Sequence, residues 1–167
     1  SYKDGQGTFT WSGGARYVGQ WKEGKMNGHG TYTYANGDVY TGDFVNDALQ
    51  GKGIYQFNNG DRYEGQYQLS QRHGDGIFTF AGGNKYVGQF RSGMKHGQGT
   101  FTSIDGASYV GQWRNVKKEG KGRCTWPSGD VYEGDYVEGE RTGQGIINYA
   151  NGDRYIGQFN KGDKQDS

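Results

Sequence analysis

The chain has 167 residues with a net charge of +1, 34 glycines against a single proline, 31% hydrophobic residues and 16% aromatic ones. Leucine, isoleucine, valine and methionine are too sparse for a compact aliphatic core, so aromatic rings, each with roughly 150–250 Å² to bury, must supply most of the apolar contact. The near-neutral balance gives no overall attraction to nucleic acid, the lone Cys124 excludes an internal disulfide, and no stretch approaches the ~20 consecutive apolar residues of a membrane-spanning helix.

The first predicted element is the run Gly5-x-Gly7-x-Phe9-x-Trp11. Its spacing of two is that of a β-strand, with Gly5, Gly7, Phe9 and Trp11 on one face and Gln6, Thr8 and Thr10 on the other. Gly14 closes this half-unit, and Tyr17-x-Gly19-x-Trp21 follows as a second strand whose other face is Val18, Gln20 and Lys22. The same pair of strands then recurs down the chain. Tyrosine stands at Tyr17, Tyr40, Tyr63, Tyr86, Tyr109, Tyr132 and Tyr155, always 23 residues apart, with a glycine two residues later and a ring two beyond that. Gly-x-Gly pairs recur in step from Gly28/Gly30 to Gly143/Gly145, each followed at alternate positions by bulky residues such as Tyr32/Tyr34 and Tyr55/Phe57. Among the aromatic residues only Tyr2 stands outside these columns.

No segment reads with helical spacing, so the prediction is an all-β meander of hairpins. Asn-Gly and related pairs at Gly37, Gly60 and Gly152 supply one short connection per repeat, and a looser segment such as 24–27 supplies the other. Glycine within a strand is entropically unfavourable, so its repetition predicts slots into which neighbouring rings lie. About fourteen strands at ~4.8 Å would extend on the order of 65 Å. Each repeat buries its rings only against its neighbours.

The pattern Tyr-x-Gly-x-Trp-x-x-Gly-x-x-x-Gly-x-Gly-x-Tyr-x-Tyr-x-x-Gly, complete from Tyr17 to Gly37, resembles the MORN (membrane occupation and recognition nexus) repeat. The resemblance covers a half-unit at 5–16, full repeats at 17–39, 40–62, 63–85, 86–108, 109–131 and 132–154, and a trailing half-unit at 155–167, read together as one array over 1–167. It implies an elongated, single-layer, twisted antiparallel sheet with an aromatic-lined face. It also implies binding or scaffolding in cytoskeletal, ciliary or membrane-associated assemblies. Asp47, Ser70 and Val116 replace a glycine found at Gly24, Gly93, Gly139 and Gly162, which predicts turns of different conformation there. Ser103 and Cys124 interrupt the ring columns, which predicts a change in the aromatic face at the fourth and fifth repeats.

Catalytic and metal chemistry find no support in these residues. Equivalent histidines in successive repeats would stand ~10 Å apart, too far for two ligands each ~2 Å from one zinc ion. The Gly-x-Gly pairs precede no helix and so make no phosphate loop, and Cys124 has no histidine near it in sequence. No catalytic residue, metal or cofactor is expected. Asp38, Asp61, Asp130 and Asp153 beside turn glycines read as turn residues.

A single-layer sheet leaves rings uncovered, and an exposed apolar face marks an interaction site. The expected function is therefore noncatalytic protein binding, with a helix, peptide or second copy lying along a groove of Trp21, Phe44, Tyr67, Phe90, Trp113 and Tyr136. A second reading is an anionic phospholipid surface met by a loop-edge row at Arg72, Lys95, Lys118 and Arg141, continued at Lys164 and interrupted by Glu119, Glu140 and Asp163. A third is a noncatalytic segment of a larger enzyme, consistent with half-units at both ends. Unpaired edge strands predict a homodimer or end-to-end assembly. The lone cysteine, the absence of an Asn-x-Ser/Thr acceptor and the absence of signal-peptide character in residues 1–7 predict a cytoplasmic setting, peripheral to cytoskeleton or membrane.

Overall fold

The computed structural model describes residues 3–165; Tyr2 and the ends of the terminal half-units at 1–2 and 166–167 lie outside the described residues. Those residues contain fifteen strands and no helix. In chain order the strands are β1 (Gly5–Thr10), β2 (Arg16–Lys22), β3 (Lys25–Thr33), β4 (Val39–Val45), β5 (Ala48–Gln56), β6 (Arg62–Gln68), β7 (Gln71–Thr79), β8 (Lys85–Arg91), β9 (Met94–Thr102), β10 (Ser108–Arg114), β11 (Lys117–Thr125), β12 (Val131–Val137), β13 (Glu140–Asn148), β14 (Arg154–Asn160) and β15 (Asp163–Gln165). They form one antiparallel sheet whose strand order is chain order. The contacts gather into two compact units: the described residues through Ala81 with Arg91–Gly93, and Gly82–Phe90 with the described residues from Met94 onward.

Within a repeat the register aligns the glycines. Gly19 stands opposite Gly30 and Tyr17 opposite Tyr32 across β2 and β3. The Tyr17 ring lies over this paired gap, so that a Cβ at Gly30 would overlap it. The expected slot is thus filled by the ring of the adjoining strand. Beyond it the register shifts, from Gly19↔Gly30 to Trp21↔Met26, leaving Gln20 opposite a three-residue bulge. Gly28 takes a φ of 84° inside that bulge. The Gln20 side chain accepts the His29 amide at 3.0 Å, and the Tyr17 hydroxyl donates to the Gln20 carbonyl at 2.8 Å. Equivalent tyrosine bonds recur at Tyr40, Tyr63, Tyr86, Tyr109, Tyr132 and Tyr155.

Both connections are tight. At the Asn-Gly end the Tyr34 amide donates to the Asp38 carbonyl at 2.8 Å and Gly37 is left-handed, a turn closed by an αL glycine. At the other end Glu23 and Gly24, with φ of 51° and 80°, make a two-residue primed turn, so the segment expected to be loose is a hairpin and its following residues belong to β3.

The turns at Asp47, Ser70 and Val116 do not differ as expected: their φ values of 71°, 64° and 77° match those of the glycine-bearing turns. The right-handed strand twist selects this geometry whatever the residue. At Asp47 and Ser70 a side chain compensates. The Asp47 carboxylate accepts the Met26 amide at 2.8 Å and the Ser70 hydroxyl oxygen accepts the Leu49 amide at 3.0 Å. A fifteenth strand, beyond the roughly fourteen anticipated from ~4.8 Å hairpin counting, arises because Lys161–Gly162 form the same turn and fold β15 back on β14.

Candidate interaction face

Alternation along the strands places every ring column on one face of the sheet. In the first unit an inner row runs Trp21, Tyr17, Phe44, Tyr40, Tyr67, Tyr63, with successive rings 5.0–5.4 Å apart and nearly perpendicular. In the second unit the same edge-to-face arrangement links Phe90, Tyr86, Trp113, Tyr109, Tyr136 and Tyr132. Such pairs add about 0.5–1.5 kcal/mol each beyond the area they bury. The indole N–H of Trp21 donates to the Gly7 carbonyl and that of Trp113 to the Gly99 carbonyl, both at 3.1 Å.

The six residues expected to line the groove are members of this inner row and are buried: Trp21, Phe44, Tyr67, Phe90, Trp113 and Tyr136 are only 3–7% exposed. Each is packed edge-to-face against tyrosine rings that themselves sit over glycine backbone, and Trp21 also lies against Gly7. The accessible rings belong to an outer row. In the first unit Trp11, Tyr32, Tyr34, Tyr55 and Phe57 are half-buried and follow one another at 4.5–5.5 Å. In the second unit this row keeps Phe101, Trp126 and Tyr149, while Ser103 and the buried Cys124 break it, a change of character in the expected repeats.

Burial raises the pKa of Tyr63, Tyr86 and Tyr109 to about 12, so these three stay neutral donors at physiological pH. Asp38 is the one buried charged residue among those described. Burial works against its carboxylate, but hydrogen bonds from the Tyr55 hydroxyl and the Asn58 amide, both 2.7 Å, outweigh it and lower the pKa. Asp61 and Asp130 accept the Ala81 and Ala150 amides in the same way, each holding the turn of the next repeat.

The basic row is on the ring face, at the second position of β7, β9, β11 and β13, next to the two-residue turns. Arg72 opposes Tyr67, Lys118 opposes Trp113 and Arg141 opposes Tyr136, the register position that Met26 and Leu49 hold opposite Trp21 and Phe44. Arg72 lies 5.2 Å from the Phe78 ring, Lys95 5.0 Å from Phe101 and Trp113, Lys118 5.0 Å from Tyr109, and Arg141 5.1 Å from Phe159. All four are half-buried. Glu119 and Glu140 alternate to the opposite face, where Glu119 accepts the Glu138 amide at 3.0 Å. They therefore do not interrupt the row, and Lys164, over Tyr149 and Tyr155, continues it.

His29 lies 3.7 Å from Asp43 on an exposed part of the other face, and among the described residues no three His, Cys, Asp or Glu side chains gather to hold a metal ion. None of the described residues forms a helix long and apolar enough to cross a membrane.

The repeat period, the ring columns and the aligned glycines have a match among known families. The MORN repeat fits residues 2–16, 17–39, 40–62, 63–85, 86–108, 109–131 and 132–154. This chain belongs to the MORN-repeat family. No curated protein sequence matches it. Among solved structures, the wild-type TCP10 domain of Danio rerio CPAP shares the fold at 14% identity, over 91% of this chain and 73% of that one, with a TM-score of 0.55. The SAS-4 (dCPAP) TCP domain of Drosophila melanogaster, in complex with a proline-rich motif of Ana2, is 14% identical over 90% of this chain and 88% of that one, with a TM-score of 0.46.

The MORN columns identify which positions carry rings, but not which rings a partner can touch. What separates them is register: Trp21, Phe44, Tyr67 and Trp113 each stand opposite a glycine of the preceding strand, whereas Tyr34 and Phe57 lie beyond the paired glycines.

Proposed function

We propose that this MORN array is a noncatalytic protein-interaction module whose ring face receives a peptide or a helix. The observation that carries this reading is the half-buried outer row, Tyr32, Tyr34, Tyr55 and Phe57, which no other layer of the described residues covers. Trp21, Phe44 and Tyr67 are the floor of that surface in the first unit, and Phe90, Trp113 and Tyr136 are the floor in the second. The hollow bounded by Tyr34, Tyr55, Phe57, Tyr67 and Arg72 offers apolar walls with one cation. Aromatic side chains are the usual anchors of protein interfaces, being large and rigid. A cytoplasmic, cytoskeleton-associated setting accords with the lone reduced cysteine.

The test is selection from a displayed peptide library against the folded chain, followed by titration of the enriched sequences. Peptides that bind the native chain and lose about tenfold or more in affinity, roughly 1.4 kcal/mol, to Tyr55→Ser or Phe57→Ser support the ring face as the site. Enriched peptides that bind those variants and the second-unit counterparts of Phe57, Trp126→Ser and Tyr149→Ser, as well as the native chain would remove it.

A further inference from the structure

We infer that the ring face of the second unit takes an extended acidic peptide with a carboxylate at every third residue, seated in turn on Lys95, Lys118 and Arg141; this rests on the ring face being the interaction surface. The packing of the column does not require a cation. In the first two repeats of the first unit the same register position is filled by Met26 and Leu49, each 8% exposed, so an apolar side chain satisfies the fold there; the third carries Arg72. The change to Lys95, Lys118 and Arg141 in consecutive repeats therefore adds charge where packing alone would accept Met or Leu.

The charge is also unbalanced by face. On the opposite face of the second unit Lys117 pairs with Glu138, Lys121 with Asp135 and Arg123 with Glu133, at 2.9–3.3 Å. On the ring face, Lys118 and Arg141 take part in no ion pair among the described residues, lying on rings instead, and Arg141 also donates to the Gly162 carbonyl. Asp130, engaged by the Ala150 amide, and Asp163 line the hollow that holds Arg141, and Asp105 accepts the Ser103 hydroxyl and the Ala107 amide. Lys118 and Arg141 are thus cations held on rings, with no carboxylate in ion-pair contact among the described residues.

Spacing selects the form of the anion. Successive cations are two strands apart, about 9.6 Å at the usual ~4.8 Å strand separation. A polyproline II chain rises ~3.1 Å per residue with three residues per turn, so every third side chain returns to one side after about 9.3 Å. An α-helix covers that distance in about 6.4 residues, roughly 1.8 turns, and its side chains return to one side only near seven residues and about 10.5 Å, so its repeat drifts out of step with the cations. The two residues between carboxylates would lie against Phe101, Trp126 and Tyr149, the half-buried rings of the outer row, as extended proline-rich chains do in other aromatic-lined grooves. A flat phospholipid surface fits less well, because these cations are half-buried among rings.

The experiment is fluorescence anisotropy with a labelled peptide of Glu-Pro-Pro repeats, set against Lys-Pro-Pro repeats, a peptide with the same number of glutamates at every fourth position, and phosphatidylcholine vesicles containing phosphatidylserine. The variants are Lys118→Met and Arg141→Leu, residue types the same column already carries, with circular dichroism confirming that each is folded. Expected is binding of the Glu-Pro-Pro peptide that weakens about tenfold for each cation removed and falls as salt is raised. Equal binding of the fourth-position peptide, no effect of either variant, or vesicle binding that depends on the same two residues would overturn the inference. If library-selected peptides prove uncharged yet depend on the outer rings, this inference fails alone. If no ring-dependent peptide is found by either route, the interaction reading fails with it.

Discussion

The two glycines of each Gly-x-Gly pair are needed for different reasons, and substitution separates them. In Gly28/Gly30 and its later equivalents the first adopts a left-handed backbone, inside the bulge at Gly28, whereas the second is overlain by a tyrosine ring and has no backbone strain to relieve. Gly30→Ala therefore has to displace the fully buried Tyr17 and its bond to the Gln20 carbonyl. We expect a loss of about 2–3 kcal/mol in urea unfolding, the range of overpacked cores. Gly13→Ala, where an added methyl meets nothing within 4 Å, leaves stability nearly unchanged. The inner-row tryptophan is as structural. Removing Trp113, 6% exposed and bonded to Gly99, should cost about 3–5 kcal/mol as measured by thermal or urea unfolding. A weakened partner interaction in that variant would report lost folding and not a lost contact, which is why outer-row substitutions are the better probe.

At the scale of the hairpin, the primed turn is imposed by strand twist and tolerates residues that do not prefer it. Asp47 and Ser70 answer the strain with a side-chain acceptor, but Val116, a β-branched residue at φ 77°, contributes none. A left-handed conformation costs a non-glycine residue roughly 1–2 kcal/mol, of which the greater flexibility of unfolded glycine takes back part. Val116→Gly is accordingly expected to stabilise the chain by about 0.5–1 kcal/mol, seen as a raised Tm by circular dichroism. The reverse change, Gly139→Val at the equivalent turn, should lower it. Equal Tm values for the three proteins would mean that the turn strain is relieved elsewhere.

Across the molecule the tyrosine columns link stability to pH. Burial raises the folded-state pKa of Tyr63, Tyr86 and Tyr109 from 10 to about 12, and moves Tyr17 and Tyr132 in the same direction. A raised folded-state pKa means that the folded chain holds these protons more tightly than the unfolded one. Their contribution is complete below pH 10 and is lost as pH rises toward 12. We expect the urea midpoint to hold constant from neutrality to about pH 9 and then fall steeply with the tyrosinate absorbance. Ionisation that runs ahead of unfolding, with an apparent pKa near 10 for every tyrosine, would contradict the burial described here.

Much of the fold was legible because its signals are local and repeated. A spacing of two within each half-unit requires strands, and a constant 23-residue step requires equivalent hairpins, so strand order followed from the positions of Tyr17 to Tyr155 alone. The exposure of particular rings was not legible. Trp21 and Tyr34 look alike in sequence, and only the register that sets Gly5 opposite Trp21 and Gly7 against its ring determines that it is buried. The basic column was equally ambiguous. Alternation counted from a turn of unknown type does not say which face receives Lys118 and which receives Glu119, and the two-residue primed turn settles it. Sequence by itself thus determined the strands, their order and the family, which depend on period. The tertiary structure decided which rings form the floor, which remain open and where the cations stand, because these depend on register across strands, and a shift of one residue exchanges the two faces of a sheet.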